Sequence, residues 1–199
     1  MIPVDLNPLG LTIININLHI KMIFYKKLDI PGHLHLTKEA HDFVLSQSNI
    51  YNRSAKINLI TANLNDALST MPSLNIFNYL NIKITKVLFF VLYNNKQCNI
   101  HSDSWTNSAR INVPVVNCKD SILEFWSGVE WYSVINAQGN TVKIGKDGTG
   151  KLECKVEIDR PTVVSVNEPH RVVMKNISEI PRITLSLDFD RCPSFLLTN

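Results

Sequence analysis

Two histidines, an aspartate and an arginine stand out for the chemistry their types and spacing allow. Asn99-Ile100-His101-Ser102-Asp103 follows the apolar run Val87–Tyr93. In extended chain, residues i and i+2 project to one side, so His101 and Asp103 can reach a common point. A further histidine, His170, opens a late strand in Asn167-Glu168-Pro169-His170-Arg171-Val172. Two imidazoles and one carboxylate on one face of a metal leave its other positions open, which suits non-haem Fe(II) and oxygen chemistry. A structural zinc site would instead close with a fourth ligand. Arg182 stands twelve residues after His170. If Lys175–Pro181 joins an antiparallel pair, Arg182 falls near Val173, on the order of 10 Å from His170. At that remove a guanidinium matches the far carboxylate of a five-carbon dicarboxylate whose other end chelates the metal. Thr184 shares that face and could add a hydroxyl.

Each of these residues also has a plainer reading. His101 and Asp103 suit a turn, and His170 can end one, because Pro169 holds Glu168 extended. Arg182 can be a strand-edge charge paired with Asp188 or Asp190. A rival metal set, His33-x-His35-x-x-x-Glu39, has the spacing of a cupin motif but lacks its flanking glycines. Glu39 there falls in the first turn of a helix that Thr37 would cap, where a carboxylate complements the helix dipole. His19 and His41 lie on polar faces.

The elements that must position these groups are mostly strands. Ile14–Ile20 alternates apolar and polar residues and puts Ile14, Ile16, Leu18 and Ile20 on one buried face. Ala40, Phe43 and Val44 recur at helical spacing. A second helix is expected between Asn65 and Leu80, started, kinked or broken by Pro72. Beyond Ile82 the pattern predicts strands at Val87–Tyr93, Arg110–Asn117, Ile122–Trp126, Trp131–Asn136, Thr141–Ile144, Leu152–Ile158, Thr162–Val166, Arg171–Met174 and Arg182–Phe189. Turn-forming residues 137–140 and 146–150 separate some of them. Many short strands after a helical portion indicate a sandwich or barrel with helices packed outside. A single domain over 1–199 is expected, with 1–85 as helical and strand support and 86–190 as the metal-binding core.

Composition narrows the function classes. With 199 residues, 45% of them hydrophobic, the chain can bury a real core, which excludes disorder and a disulfide scaffold. The formal net charge is +3 and no basic cluster exceeds Lys26-Lys27, so no dedicated nucleic-acid binding is expected. No apolar run reaches the length of a membrane span, and no leader pattern is evident. Cys98, Cys118, Cys154 and Cys192 are widely separated, as free thiols in a reducing compartment would be. These features lead us to expect a cytoplasmic protein.

The set His101-x-Asp103, His170 and Arg182-x-Thr184 resembles the iron(II)- and 2-oxoglutarate-dependent oxygenase superfamily, over roughly residues 85–190. Arg182-Ile183-Thr184 is similar to that superfamily's Arg-x-Ser element. Arg110-Ile111-Asn112 is similar to the Arg-x-His element of the aspartyl/asparaginyl β-hydroxylase branch, with Asn112 in place of the histidine, which makes Arg110 and Asn112 secondary candidates for holding the oxoacid. The resemblance implies a mainly β protein with flanking helices, a double-stranded β-helix of the jelly-roll, cupin-like kind. It implies Fe(II) held by His101, Asp103 and His170, and 2-oxoglutarate held by Arg182 and Thr184. It also implies O₂ as co-reactant, release of succinate and CO₂, and oxidation, by default hydroxylation, of a small molecule or a protein side chain. Asp103 argues against halogenation, since halogenases of the superfamily generally lack the acid. The alternative is a non-catalytic β-sandwich module for binding or assembly. Oligomeric state is not legible in the residues.

Overall fold

The computed structural model describes residues 23–47, 57–93, 98–103, 108–135, 141–175 and 179–198. The expected strand at Ile14–Ile20, His19 and the turn at 137–140 lie outside the described residues. In chain order come β1 (Tyr25–Lys27), α1 (His33–Ser46), β2 (Ile57–Thr61), α2 (Leu64–Thr70), a 3₁₀ helix (Pro72–Leu80), β3 (Ile84–Leu92) and β4 (Ala109–Val116). Then follow β5 (Ser121–Ser127), β6 (Trp131–Ile135), β7 (Thr141–Gly145), β8 (Lys151–Val156), β9 (Thr162–Ser165), β10 (His170–Met174), β11 (Arg182–Phe189) and a 3₁₀ turn at Pro193–Leu197. The fold is mainly β, a double-stranded β-helix of antiparallel sheets. No helix among the described residues is long and apolar enough to cross a membrane.

The strands form a major sheet ordered β1-β9-β4-β11-β3-β2 and a minor sheet ordered β10-β5-β8, with β6 and β7 as a separate ribbon. Strand β11 lies at the centre of the major sheet, and its sequence shows why. Ile183, Leu185, Leu187 and Phe189 alternate with Arg182, Thr184, Ser186 and Asp188, and all eight residues are buried. The period of two sends the apolar set to one face and the polar set to the other. On the apolar face, Phe89, Val91, Ile111, Val113, Leu185 and Leu187 join Leu36, Ala40, Phe43 and Phe77 of the helices in one core. Phe43 stacks on Phe89 at 5.6 Å, and Phe77 meets Phe189 edge-on at 5.9 Å. A smaller apolar cluster, including Leu123, Phe125, Val156, Ile158, Val164 and Val166, lies between the two sheets.

Local chemistry sets the helices. Helix α1 begins earlier than its sequence suggests: Gly32, at φ 79°, is its N-cap, and Thr37 lies inside the helix with its hydroxyl donating to the Pro114 carbonyl. Only glycine turns that corner without strain, and it starts the helix one turn ahead of Thr37. Asn63 caps α2 by accepting from the Asn65 and Asp66 amides. Pro72 then does what a proline without an N–H must, ending α2 at Thr70 and opening the 3₁₀ helix. Strands β1 and β2 are two that the residue pattern had not marked.

Candidate metal centre

His101 and His170 are brought together by main-chain pairing. The His101 amide donates to the His170 carbonyl at 2.9 Å and the His170 amide returns the bond at 2.8 Å. Such a doubly bonded pair sets two residues opposite each other in an antiparallel ladder, with side chains on one face. The Cys98 amide bonds to the Val172 carbonyl and the Asp103 amide to the Val166 carbonyl, so 98–103 passes antiparallel to the 166–172 stretch, with His101 and His170 paired as an isolated bridge. The ring centroids of His101 and His170 are 4.4 Å apart. One ligand atom from each of His101, Asp103 and His170 lies within 4.8 Å of the others, and no other such trio of potential ligands occurs among the described residues.

The ring nitrogens are oriented for a metal. His101 Nδ1 meets the Asn99 carbonyl at 2.8 Å, and His170 Nδ1 meets the Glu168 carbonyl at 2.7 Å. A proton held on Nδ1 by a carbonyl leaves the Nε2 lone pair as the ligand. Burial pushes the His170 pKa down to about 3, assisted by the neighbouring His101 and by Arg110. The ring is therefore neutral at ordinary pH, the form a metal requires. Two imidazoles and a carboxylate fit a first-row divalent ion such as Fe(II), with further coordination positions left for other ligands.

A cavity bordered by these three residues runs between the sheets. Arg110, Asn112, Arg182, Thr184 and Ser186 of the major sheet also line it, with Cys98, Leu123 and Val172 opposite. Arg182 is buried and its Nε donates to the Ser121 hydroxyl at 2.7 Å, a bond that ties the two sheets together. Strands β10 and β11 do not pair as the sequence suggested: β10 pairs with β5, and β11 with β3 and β4. The chain after Lys175 crosses from one sheet to the other. Arg182 reaches the cavity of His170 because the sheets face each other across it.

Two polar atoms in this cavity, Asn112 Oδ1 and Ser186 Oγ, are buried without a hydrogen-bond partner. They occupy facing positions in the β4–β11 register. An unsatisfied buried polar group costs about 1–3 kcal/mol. Together with Arg182 and Thr184, this row is costly as packing and intelligible as a surface that meets a polar ligand.

Other sequence candidates resolve differently. Arg110 is engaged by two carboxylates, donating from Nη1 to Asp103 Oδ2 at 2.8 Å and from Nε to Asp188 Oδ1 at 2.7 Å. Asp188 thus pairs with Arg110 and not with Arg182. Glu39 accepts from the Ser73 amide and hydroxyl, both at 2.9 Å, and caps the 3₁₀ helix. His33 Nδ1 meets the Ile30 carbonyl at 3.0 Å, so this pair and His35 do not assemble into a metal group. His41 is half-exposed beside Asp42. Sequence reasoning passes over Ser121 and Ser186. The polar alternation of β11 was a signal for Ser186, and nothing local marks Ser121.

No family model and no curated protein matches the sequence. Solved structures do. The epimerase SnoN, crystallised with Fe3+, alpha ketoglutarate and nogalamycin RO, matches with a TM-score of 0.50 at 12% identity, over 89% of this chain and 86% of that one. The likeness is one of fold. A prolyl-4-hydroxylase from Pseudomonas putida matches at TM-score 0.45 and 12% identity, over 84% of this chain and 92% of that one. E. coli ycfD matches at TM-score 0.46 and 12% identity, over 72% of this chain, which spans only 36% of the ycfD chain.

Proposed function

We propose that the protein is an Fe(II)- and 2-oxoglutarate-dependent oxygenase that oxidises an organic substrate, by default through hydroxylation of a small molecule or a protein side chain. One observation carries this reading: a His101–Asp103–His170 cluster bordering a cavity that also holds a buried arginine, Arg182, with Thr184 two residues along the same strand face. The fold of SnoN supports it. When bound, the ion, 2-oxoglutarate and O₂ would supply oxidative decarboxylation, giving succinate and CO₂ and inserting oxygen into a C–H bond.

The chain's own residues do the positioning. His101 and His170 offer Nε2 atoms held in place by their Nδ1–carbonyl bonds. Arg182 uses Nε on Ser121, so its terminal nitrogens are the donors for the far carboxylate of the oxoacid, in the planar geometry a carboxylate prefers. Thr184 adds a hydroxyl, and Asn112 lines the same cavity. Because Arg110 is taken up by Asp103 and Asp188, we assign the oxoacid to Arg182 and Thr184, and we do not extend the assignment to the aspartyl/asparaginyl hydroxylase branch. Leu123, Val164, Val166 and Val172 give the cavity apolar walls that strengthen each charged contact by excluding water.

The experiment is anaerobic titration with Fe(II) and then 2-oxoglutarate, following the weak metal-to-ligand charge-transfer absorption in the visible. Wild type should develop the band and His170→Ala should not. Absence of the band in wild type, or its persistence in His170→Ala, overturns the reading.

A further inference from the structure

We infer that Arg110 and Asp188 form a clamp that holds one oxygen of Asp103 away from the metal, so that this carboxylate binds through its other oxygen alone. The clamp presupposes the metal set proposed above. Its geometry is set by strand register. Ser186 faces Asn112 and Leu187 faces Ile111 in the β4–β11 ladder, so the next step sets Asp188 beside Arg110 on the cavity face. There Arg110 is buried and divides its guanidinium between two acids, Nε to Asp188 and Nη1 to Asp103 Oδ2. The other oxygen, Asp103 Oδ1, is the one near the histidines, 3.8 Å from His101 Nε2.

Three buried or half-buried charges are an expensive way to stabilise a sheet, since well-packed apolar residues of similar size do as well or better. They are economical as an orienting device. A carboxylate with both oxygens free can chelate an ion and occupy two positions. With Oδ2 committed to a guanidinium, one position is taken and another stays open. Asp188 keeps Arg110 from swinging toward either the ion or Arg182's ligand, because its own bond fixes Nε and hence the plane of the fork. Lys86 stands opposite Asp188 on β3, so the outer end of the clamp also sits beside a cation. Arg110 and Asp188 are in this sense positioning residues.

The test uses Co²⁺ as the probe, with the full-length chain and no oxoacid or oxygen present. The readouts are the Co²⁺ dissociation constant and the intensity of its visible d–d bands, which report coordination number and are indifferent to general stability. Arg110→Gln and Asp188→Leu should weaken Co²⁺ roughly 10- to 100-fold and alter band intensity. Asp188→Asn, which keeps an acceptor for Nε, should stay close to wild type. Should Arg110→Gln not fold, Arg110→Lys decides the matter, because an ammonium is a single point on a flexible stem and lacks the planar fork that fixes Asp188 at Nε and Asp103 at Nη1 together, and the bands should still change. Folded Arg110 and Asp188→Leu variants with wild-type affinity and bands overturn the clamp, even when His170→Ala has lost the ion. Wild type that takes up no Co²⁺, or His170→Ala that takes up as much as wild type, overturns the metal set and the clamp with it.

Discussion

Arg182 is the residue on which the two ends of the proposed site depend most unequally. The histidines and Asp103 can hold an ion without it, but among the described residues no other guanidinium lining the cavity is free of a carboxylate, since Arg110 is divided between Asp103 and Asp188. Arg182→Lys keeps a cation and loses the fork. The expected cost is about 2 kcal/mol for a charged hydrogen bond, or roughly thirty-fold in the dissociation constant of 2-oxoglutarate. Fe(II) binding without the oxoacid should be unaffected. Isothermal titration of the two ligands in turn checks this, and equal losses for both would show that Arg182 acts on the fold and not on the oxoacid. His101-x-Asp103 was legible because residues i and i+2 of an extended segment share a face whatever that segment pairs with. The duty of Arg110 was not legible, because it depends on which residue of another strand lies beside it.

The strands carry a division of labour. On β11 the odd-numbered residues build the core with the helices, while Arg182, Thr184 and Ser186 line the cavity. The two faces can therefore be perturbed separately. Phe89 is fully buried on the helix side of β3 and stacks on Phe43. Phe89→Ala should cost about 3–5 kcal/mol of stability, read from urea unfolding, while the Co²⁺ affinity of the folded fraction stays at the wild-type value. A matched loss of metal affinity would mean that the two faces are coupled through β3. The alternation of β11 could be read directly, but the partners of β10 could not. A short connection favours a hairpin between neighbours in sequence, and here the chain instead crosses between sheets, because the polar face of β11 and the ligand-bearing edge of β10 close the cavity from opposite sides.

At the scale of the whole molecule, charge on the minor sheet's outer face ties its three strands together. Glu124 is buried on β5 and accepts from Arg171 Nε at 2.8 Å on β10, with Lys155 of β8 at 3.2 Å. Burial pushes its carboxyl up, but the bonds from Arg171 and Lys155 outweigh this and hold it below the usual carboxylate range. A carboxylate whose folded pKa lies below its unfolded value of about 4.3 adds stability above that value. The contribution fades as pH falls through the folded pKa, because the unfolded chain takes up its proton first. Stability of the metal-free protein should therefore decline as pH drops from about 5 toward 3, and Glu124→Gln should flatten that decline. Urea midpoints measured across this range check it; parallel curves for the two proteins would remove Glu124 from the account.

Local pattern was enough to establish that the chain is strand-rich with helices packed outside, and to set His101 and Asp103 on one face and Arg182 and Thr184 on another. Those facts depend only on periodicity and on the chirality of each residue, which travel with the chain. Tertiary structure alone decided that His101 meets His170 across an isolated bridge, that Ser121 holds Arg182, and that Arg110 links Asp103 to Asp188. Those contacts are between residues far apart in sequence, and strand pairing selects them by the joint burial of whole faces, which no short window of residues contains.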